Sequence, residues 1–583
     1  MNVLWLLVVA LVCIVLGYRF YSGYLSGVLG EDRNRTTPAV EFQDGVDYCP
    51  TKSPIVFAHH FASIAGAGPI IGPTMALMYG YVPVWLWVVF GGIFFGAVHD
   101  YVTLFVSIRE RGSSIARIAR SSLGEGGFAL MIAFTILMIL LVTSAFLAAS
   151  ATSLTSLVSL EHMKLPQTQT ILKTVFRNGT EMGKIGGIAS TSVIFVTLCS
   201  PFVGFLIYRK KSPLRVTTPL AILICICSIF VGLRLPVTMG ADLWMVVLAV
   251  YTLFAAGAPV WLLLQPRDFI NVYILYGGLL LLVAGAIGAG VQGVTPDAPP
   301  FNLAAGASAP ALGMIWPFLF ITVACGAISG FHALVAGGTV SKQVTSERDA
   351  RVIGYGGMLL ETLLAICVII ALSGGIKFDE YARIVHPAAG NSNPILAFAL
   401  AMSGLLHKGL HIPMVYGTVF GILMVEGFVA TTLDTAVRIN RYLFEELWTI
   451  LFRNPPRILK SYLFNSGLSV VLMLVLAFTN AFSAIWPVFG TANQLLAALT
   501  LITLAAWLAA NNKKSGFLLL PAAFMIITTL FALVFLAQRY MAGGNIILFS
   551  ADILMIALAI ALVLVAIRTR FNGKKISRQK VQS

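Results

Sequence analysis

The chain is built from apolar runs of roughly 20 residues that recur from one end to the other. A run of this length forms a helix that crosses the hydrocarbon layer of a membrane. Charged residues make up 10% of the sequence, whereas a soluble domain typically has about 25%. The short alternating segments of a β-barrel are not seen. The sequence therefore predicts an all-α polytopic membrane protein.

Fifteen runs are candidate membrane spans, with one at the N-terminus, ten in the middle and four at the C-terminus. A shorter run over 394–406 predicts a surface or re-entrant helix. The fifteen spans cover residues 3–27, 54–80, 83–108, 127–151, 187–208, 217–235, 243–264, 270–292, 314–338, 350–373, 411–433, 464–484, 488–510, 517–537 and 548–567.

The distribution of basic residues predicts the orientation. If the N-terminus lies outside, 29 of the 38 Lys and Arg residues fall on the cytoplasmic side, as the positive-inside rule requires. We therefore expect an outside N-terminus and a cytoplasmic C-terminal tail. Because the basic residues sit in short loops between apolar runs, the net charge of +15 indicates topology and not a nucleic-acid partner.

Residues 55–73, IVFAHHFASIAGAGPIIGP, are apolar enough for a membrane and yet contain a backbone break. Gly66, Gly68 and Pro69 favour an interruption of the helix. Lipid offers no hydrogen-bond partner for the freed backbone groups, so a substrate or an ion is a candidate partner. The half-helix that starts at Pro69 turns its N–H groups towards the break, which favours an anion such as a carboxylate. Carbonyls of the preceding half-helix suit a cation.

A second Gly/Pro group, with Gly257 and Pro259, lies in the sixth of the ten middle spans. The first and sixth spans cross in opposite directions because they lie five positions apart in the order of spans, which is an odd number. Two such halves predict a LeuT-like inverted-repeat core of five plus five helices, with both breaks at the substrate site. The alternative is that Gly and Pro merely kink these helices. The predicted units are residues 1–53 with an extra helix and a cytoplasmic loop, 54–235 and 236–433 as the two repeats, and 434–583 as the C-terminal helices and tail.

Two neighbouring histidines, His59 and His60, precede the first break. The pKa of histidine lies near 6.5 in water, so either residue is a candidate proton carrier. They point roughly 100° apart on a helix, so at most one is expected to face the break. The alternative for each is a core histidine bonded to a carbonyl. Ionisable groups inside a membrane are candidate functional residues by default.

Further polar residues lie in the later middle spans. Ser329 and His332 belong to the eighth span, where a hydroxyl is a candidate ion ligand and an imidazole a rival proton carrier. For Ser329 the alternative is close helix packing through a small residue. Glu361 and Glu426 lie in the ninth and tenth spans, where a carboxylate is costly unless it is paired or faces water.

Five motifs in this order resemble the carbon starvation A (CstA) family of peptide and pyruvate transporters, and the resemblance covers most of the chain. The motifs are HHFASIAGAGPIIGP at 59–73, PVWLLLQPRDF at 259–269, ACGAISGFHALVAGGT at 324–339, TTLDTAVRINRY at 431–442 and WPVFGTANQLLAALTL at 486–501.

The resemblance implies an inner-membrane secondary transporter that imports short peptides, or pyruvate with a proton. We expect no cofactor and no metal beyond a coupling ion, which is expected to be H⁺. The expected partners are a small-molecule substrate and the lipid bilayer, and the sequence does not fix the oligomeric state. The resemblance implies that the functional residues include His59, His60, Ser63, Gly66, Gly68, Pro69, Pro259, Gln265, Arg267, Asp268, Ser329 and His332.

Charged residues at the cytoplasmic end of the sixth span have two interpretations. Gln265, Arg267 and Asp268 either anchor the topology or form a gate with the charged N-terminal loop. Asp434 is a further gate candidate, although its simplest interpretation is an ion pair with Arg438 four residues later.

Asn493 and Gln494 lie in an apolar helix, where we expect them to bond across helices. Three other functions are weighed against proton-coupled import. A sodium-coupled symporter of small carboxylates would hold its ion at the break. A membrane enzyme or metal protein would need a tight cluster of ligating residues, so we expect a non-enzyme. A nutrient sensor would need a signalling domain, and the tail 568–583 is too short for one.

Overall fold

The computed structural model describes residues 2–45, 48–177, 179–259, 261–305, 312–388, 392–480 and 482–582, with side chains except those of Phe428 and residues 569–582. Within these ranges, thirteen helices are long and apolar enough to cross a membrane. The predicted all-α polytopic architecture is therefore confirmed.

The helices of the first half begin with a continuous N-terminal span and continue through a long central helix. Two π-helical turns, Gly17–Tyr21 and Gly92–Gly96, join α1 to α2 and α6 to α7 without ending the span. The helices are α1 (Val3–Leu16), α2 (Ser22–Leu29), α3 (Pro38–Glu41), α4 (Ser53–Ile64), α5 (Gly68–Ala76), α6 (Tyr81–Gly91), α7 (Ala97–Arg109), α8 (Ile115–Leu154), α9 (Ile185–Gly204), α10 (Leu214–Arg234), α11 (Ala241–Gly257) and α12 (Leu264–Val291).

The second half contains another interrupted helix and a long helix that reaches the cytoplasmic side in the predicted topology. The helices are α13 (Ile315–Thr322), α14 (Gly330–Gly338), α15 (Gly357–Gly375), α16 (Phe378–Val385), α17 (Pro394–Leu410), α18 (Met414–Leu451), α19 (Tyr462–Thr479), α20 (Phe482–Ala510), α21 (Gly516–Ala542) and α22 (Ile546–Gln582).

A small antiparallel sheet lies between α8 and α9. It consists of β1 (Val158–Ser159), β2 (Thr174–Arg177) and β3 (Thr180–Gly183), with β3 in the middle. The sheet belongs to the loop 152–186, which the predicted topology places outside.

Burial separates an inner group of helices from an outer ring. An 18-residue apolar stretch within the span Ser53–Tyr79, which contains α4 and α5, is completely buried, whereas only 28% of the corresponding stretch is buried in the N-terminal span and in α22. The outer helices expose large apolar side chains such as Trp5 and Leu564, as expected for a lipid-facing surface. The interrupted helix α4–α5 therefore lies at the centre of the protein.

Two of the predicted spans differ from the structure. The span 243–264 corresponds to α11, which has 17 residues and ends at Gly257. The span 314–338 is itself interrupted, between α13 and α14. The run 394–406 forms α17, whose residues are mostly buried against α12, α15 and α18. Of the two predicted alternatives, the surface helix is wrong, because neighbouring helices cover the segment, and the re-entrant helix stays a prediction.

Candidate functional site

The first interruption forms where the sequence predicts it, at residues 65–67 between α4 and α5. Pro69 lies in the first turn of α5. Backbone N–H groups in this turn have no partner within the helix, so the absence of an N–H in proline removes no helical hydrogen bond. Gly66 faces Thr432 of α18, and a Cβ on Gly66 would lie 2.6 Å from the Thr432 hydroxyl oxygen. Glycine therefore permits a close approach of the broken helix to α18.

The second interruption, residues 323–329, lies directly against the first. A Cβ on Gly68 would lie 2.4 Å from Sγ of Cys325. Gly326 adopts a φ of +79°, and a Cβ there would lie 3.7 Å from the Cα of Pro69. The two breaks in the chain therefore meet in the interior of the protein.

Two side chains of α15 bind the middle of the second interruption. Glu361 Oε1 accepts a hydrogen bond from the Gly326 N–H at 3.0 Å. Thr362 Oγ1 donates to the Gly326 carbonyl at 3.0 Å. These contacts satisfy backbone groups that lipid would leave unpaired.

Two side chains of α20 bind the two ends of the second interruption. Gln494 donates to the Val323 carbonyl at 3.1 Å. Asn493 accepts from the Phe331 N–H at 2.9 Å and contacts the Ser329 hydroxyl at 3.0 Å. The predicted cross-helix role of both amides is confirmed, and Ser329 belongs to this structural contact.

A buried cluster of ionisable residues surrounds His332, in the first turn of α14. His332 Nδ1 lies 2.8 Å from Oδ2 of Asp100, and His332 Nε2 lies 3.4 Å from Oε2 of Glu361. The other oxygen of Asp100 lies 2.8 Å from Nδ1 of His99. All four side chains have no solvent exposure. The imidazole of His332 thus bridges two carboxylates beside the second interruption.

The two adjacent histidines point to different partners, as their angular separation predicts. His60 is fully buried against Gly357 of the α15 helix and interacts electrostatically with Asp100 and His332. His59 keeps 13% of its side chain exposed, and its Nδ1 lies 3.5 Å from Oδ2 of Asp268. His60 therefore extends the His332 cluster, whereas His59 belongs to a second charged group.

This second group is centred on Arg267 of α12, which is 1% exposed. Its Nη1 lies 2.7 Å from Oδ2 of Asp434 and also binds the Tyr251 hydroxyl. Tyr251 donates to Asp434 at 2.9 Å, and Asp268 lies 4.0 Å from the guanidinium. Together with His59, these contacts connect α4, α11, α12 and α18.

The ion pair predicted between Asp434 and Arg438 is wrong. Asp434 pairs with Arg267, which reaches it across the helix interface. Arg438 instead donates to the carbonyls of Ala255 and Ala258 at the end of α11. Cations suit these positions because the last carbonyls of a helix lack partners.

The predicted gate partner in the N-terminal loop is also wrong. Glu31 accepts from the Tyr101 hydroxyl at 2.5 Å, and the Asp32 N–H donates to Glu347 at 2.9 Å. The loop is therefore held by α7 and by the segment before α15. Arg267 is not a topology anchor at the aqueous surface because it is buried, and Gln265 is half-buried in the first turn of α12.

Gly257 and Pro259 do not form a second interruption beside the first. Gly257 ends α11, and a Cβ there would lie 2.5 Å from the ring of Tyr462. The sequence pattern therefore marks a helix end that is packed against α19. The prediction that a second broken helix begins the second repeat at residue 236 is not supported at this position.

Two buried oxygens near the first interruption, Ser63 Oγ and Thr432 Oγ1, have no hydrogen-bond partner among the described residues. Oε1 of Glu426, a carboxylate of α18 that faces α8, is also without such a partner there. The other oxygen of Glu426 accepts from the Ser150 hydroxyl at 2.6 Å. A buried polar atom without a partner is costly, and such an atom at a helix break is a candidate ligand contact.

Sequence reasoning missed Asp100, its neighbour His99 and Cys325. A His-Asp pair within the apolar span 83–108 is a detectable signal, because ionisable groups inside a membrane are rare. Cys325 lacks such a signal, since a thiol in an apolar segment is usually a packing residue.

Ligating atoms of Cys325, His332 and Glu361 lie within 4.8 Å of one another. This spacing would allow them to surround one small ion. The expectation that the protein holds no metal remains a prediction.

A sequence profile of the family described as "Carbon starvation protein CstA" matches residues 2–392 and 377–532. Among relatives, "Peptide transporter CstA" of Bacillus subtilis (strain 168) is 28% identical over 97% of this chain and 97% of its own length. "Pyruvate/proton symporter BtsT" of Escherichia coli (strain K12) is 28% identical over 91% of this chain and 81% of its own.

A crystal structure of the Eremococcus coleocola manganese transporter in complex with an aromatic bis-isothiourea compound has a similar fold. The two structures superimpose with a TM-score of 0.50 at 10% identity, over 91% of this chain and 99% of the other. The LeuT-like class predicted for the fold is confirmed by this likeness. The profile match extends over most of the sequence and includes the motifs of both interruptions. The chain belongs to the carbon starvation protein CstA family.

Proposed function

We propose that the protein is a secondary active importer of the bacterial inner membrane that takes up short peptides or pyruvate together with protons. Family membership and the names of the relatives support transport of a small organic solute. The single observation that supports proton coupling is the buried bridge that His332 forms between Asp100 and Glu361.

The proposed transport site lies at the two interruptions, because they meet inside the protein. In LeuT-like transporters, substrates and coupling ions bind where discontinuous helices expose backbone groups near the middle of the membrane. Here side chains of α15 and α20 already saturate much of the second interruption. The first interruption has fewer such side-chain contacts among the described residues and is therefore the proposed substrate contact.

The His332 cluster contains more acidic than basic groups, so it needs an additional proton to become neutral. With His332 protonated and Asp100 and Glu361 ionised, the three groups keep one net negative charge, and one more proton neutralises them. An uncompensated charge inside the membrane is costly, so proton binding favours the buried arrangement. The other titratable groups that face this cluster are His99, His60 and Cys325.

The Arg267 group is proposed as a gate on the cytoplasmic side. It connects the first half of the broken helix, through His59 and Asp268, to α18, through Asp434. Movement of α4 away from α12 and α18 would separate these charges. The contacts as they stand correspond to the closed form of the proposed gate.

Transport into proteoliposomes tests the proposal. An inward proton gradient, imposed without sodium, should drive accumulation of labelled pyruvate or labelled dialanine above its external concentration, and a protonophore should abolish the accumulation. Liposomes without protein are the control. Accumulation that requires a sodium gradient and ignores the proton gradient would replace this proposal with the sodium-coupled alternative.

A further inference from the structure

Three side chains of different chemistry face one another at the second interruption. Cys325 lies within the interruption, His332 in the first turn of α14, and Glu361 in α15. Sγ of the thiol, a nitrogen of the imidazole and an oxygen of the carboxylate lie within 4.8 Å of one another, and all three residues are buried. These are the side chains that bind transition metal ions in proteins. This trio therefore has the composition of a metal site.

The ligand atoms of the trio are directed at one another. Nε2 of His332 and Oε2 of Glu361 lie 3.4 Å apart. Among the described residues, neither atom has a hydrogen-bond partner outside the trio. Two ligands of one tetrahedral zinc ion lie roughly 3.3 Å apart, since each is about 2.0–2.1 Å from the metal. The nitrogen and the oxygen are therefore spaced as two ligands of the same ion.

Each member of the trio is also oriented by a contact on its far side. Nδ1 of His332 lies 2.8 Å from Oδ2 of Asp100, so the neutral ring carries its proton on Nδ1 and has the lone pair of Nε2 free. The other oxygen of Glu361 accepts from a backbone N–H of the second interruption at 3.0 Å. Sγ of Cys325 accepts from Nδ2 of Asn493 at 3.7 Å. Metal ligands in proteins are held by such contacts, and a carboxylate behind a histidine is the commonest of them.

From this arrangement we propose that the trio binds one Zn²⁺ ion or a chemically similar divalent transition metal ion. A thiol disfavours magnesium and calcium, which prefer oxygen ligands. The Cys325 thiol releases its proton on binding, because the thiolate is the ligand, while Glu361 binds as a carboxylate and His332 as a neutral imidazole. Three protein ligands leave the fourth tetrahedral position open. The proposal reverses the sequence-based expectation of a protein without a metal.

The ion and the coupling proton would use the same atoms. The proposed function needs a protonated His332 beside Glu361, whereas the ion would occupy Nε2 of the ring and Oε2 of the carboxylate. The two therefore exclude each other. We expect the zinc-loaded protein to lose proton-driven accumulation and the metal-free protein to retain it. This consequence rests on the proposed function, whereas binding of the metal does not.

Cobalt(II) tests the site directly, because a bond between Co²⁺ and a thiolate has a charge-transfer absorption that oxygen and nitrogen ligands lack. Cells are grown with Co²⁺ or Zn²⁺ in the medium, so that the ion can enter during folding, and the protein is purified through a tag without histidine. We expect about one metal ion per chain by elemental mass spectrometry, and the cobalt–thiolate absorption in the wild-type protein. Wild-type protein without metal, or with cobalt but without this absorption, would overturn the inference.

Variants then assign the absorption to one sulfur. Cys325→Ser should lose it, because a hydroxyl supplies no thiolate. Cys367→Ser is the matched control and should retain it, since Cys367 is a buried thiol of α15 that does not belong to the trio. Absorption that survives in Cys325→Ser would contradict the assignment.

A variant outside the trio tests the contact behind the imidazole. Asp100→Asn leaves all three ligands in place and should lower the affinity for Co²⁺ by about tenfold or more, measured in competition with a chelator. Size-exclusion chromatography checks that the variant is folded. An unchanged affinity would contradict the role of Asp100 and the use of Nε2 as the ligand.

Uptake measurements separate failure of the inference from failure of the proposed function. Proton-driven uptake by a protein that binds no metal would overturn the metal site and leave the importer intact. Cobalt binding that depends on Cys325, with no proton-driven uptake by the metal-free protein, would overturn the coupling and leave the metal site intact. Equal accumulation by the zinc-loaded and the metal-free protein would contradict the shared use of His332 and Glu361.

Discussion

Gly68 is the residue at which the two interruptions touch most closely. A Cβ at this position would lie 2.4 Å from Sγ and 2.6 Å from Cβ of Cys325. No side chain fits without moving the second interruption. The sequence predicts the break at this glycine. The structure adds that the glycine packs against the other interrupted helix.

We predict that Gly68→Ala destabilises the protein by about 1–3 kcal/mol, as overpacking of a core does, and lowers uptake. Adding Cys325→Gly should restore part of both, because it removes the atoms that the new methyl group would meet. Thermal unfolding and uptake report the two effects. Gly467→Ala is the matched control, since no heavy atom lies within 4 Å of a Cβ there. No rescue in the double variant would show that the contact with Cys325 is not the cause.

His386 is a half-buried histidine outside the membrane spans. Its Nε2 lies 3.0 Å from the carbonyl of Met75, at the end of α5. Burial lowers the pKa of His386 to about 4, although the hydrogen bond with Met75 acts in the opposite direction. The folded protein therefore holds this ring neutral, while the unfolded chain takes up a proton near pH 6.5.

We predict that stability falls between pH 6.5 and pH 4, by at most about 3 kcal/mol from this residue. A base with a lowered pKa contributes stability that is fully present above its ordinary pKa and is lost as the pH falls towards the lowered value. His386→Gln keeps a hydrogen-bond donor and cannot titrate in this range. Melting temperatures at pH 7.5 and pH 5 should differ less in the variant, and an equal difference would contradict the prediction.

At the scale of elements, the start of α14 depends on a side chain from another helix. Asn493 of α20 accepts from the Phe331 N–H and contacts the Ser329 hydroxyl. Helix starts normally obtain such a bond from the residue that precedes them. Here the interrupted helix and α20 are held as one unit, next to His332.

We predict that Asn493→Ala lowers the free energy of unfolding by about 1–3 kcal/mol, since it leaves a buried backbone donor unpaired. Asn511→Ala is the control, because the side chain of Asn511, directly after α20, donates to the carbonyl of Trp507 in the last turn of that same helix. A melting temperature of Asn493→Ala equal to that of Asn511→Ala would show that another group caps α14.

The two predicted breaks illustrate what sequence can and cannot locate. Gly66, Gly68 and Pro69 mark a true interruption, because two glycines and a proline act together within four residues. Gly257 and Pro259 carry a similar pattern and mark a helix end. The second interruption, 323–329, has Gly326 but no proline, and it is held open by partners distant in sequence, Glu361 and Gln494. Such tertiary partners leave no local signal.

At the scale of the whole molecule, we propose that the inverted repeats begin at the two observed interruptions, α4–α5 and α13–α14. The spans 54–80 and 314–338 are the first and the eighth of the middle spans, so they lie seven positions apart and cross in opposite directions. The second repeat would then begin at α13, and not at residue 236. Two of the helices between α8 and α13 would be an insertion into the first repeat.

The composition and periodicity of the chain were sufficient to predict an all-α membrane protein, and the motifs were sufficient to predict the family. The site was only partly predictable. His60 and His332 were predicted separately, but their common partner, Asp100, lies in the second middle span and approaches them only after folding. The Arg267–Asp434 pair likewise joins residues distant in sequence.

We predict that a cysteine replacing Ser212, in a background without the native cysteines, reacts with a membrane-impermeant maleimide only after the cells are opened. The basic loop that contains Ser212 is cytoplasmic in the predicted orientation. A cysteine replacing Thr168, in the loop with the small sheet, should react in intact cells and is the matched control. The reverse pattern would invert the topology and place the Arg267 group on the outer side.

The most direct test of proton coupling is the comparison of exchange with accumulation in His332→Gln. Substrate exchange between the two sides requires no net proton movement, whereas accumulation driven by a proton gradient does. We predict that His332→Gln retains exchange and loses accumulation, because Gln keeps hydrogen-bonding capacity but cannot carry a proton. His407→Gln, which alters a histidine far from the cluster in sequence and partly exposed, should retain both. Full accumulation by His332→Gln under an imposed proton gradient would contradict the account.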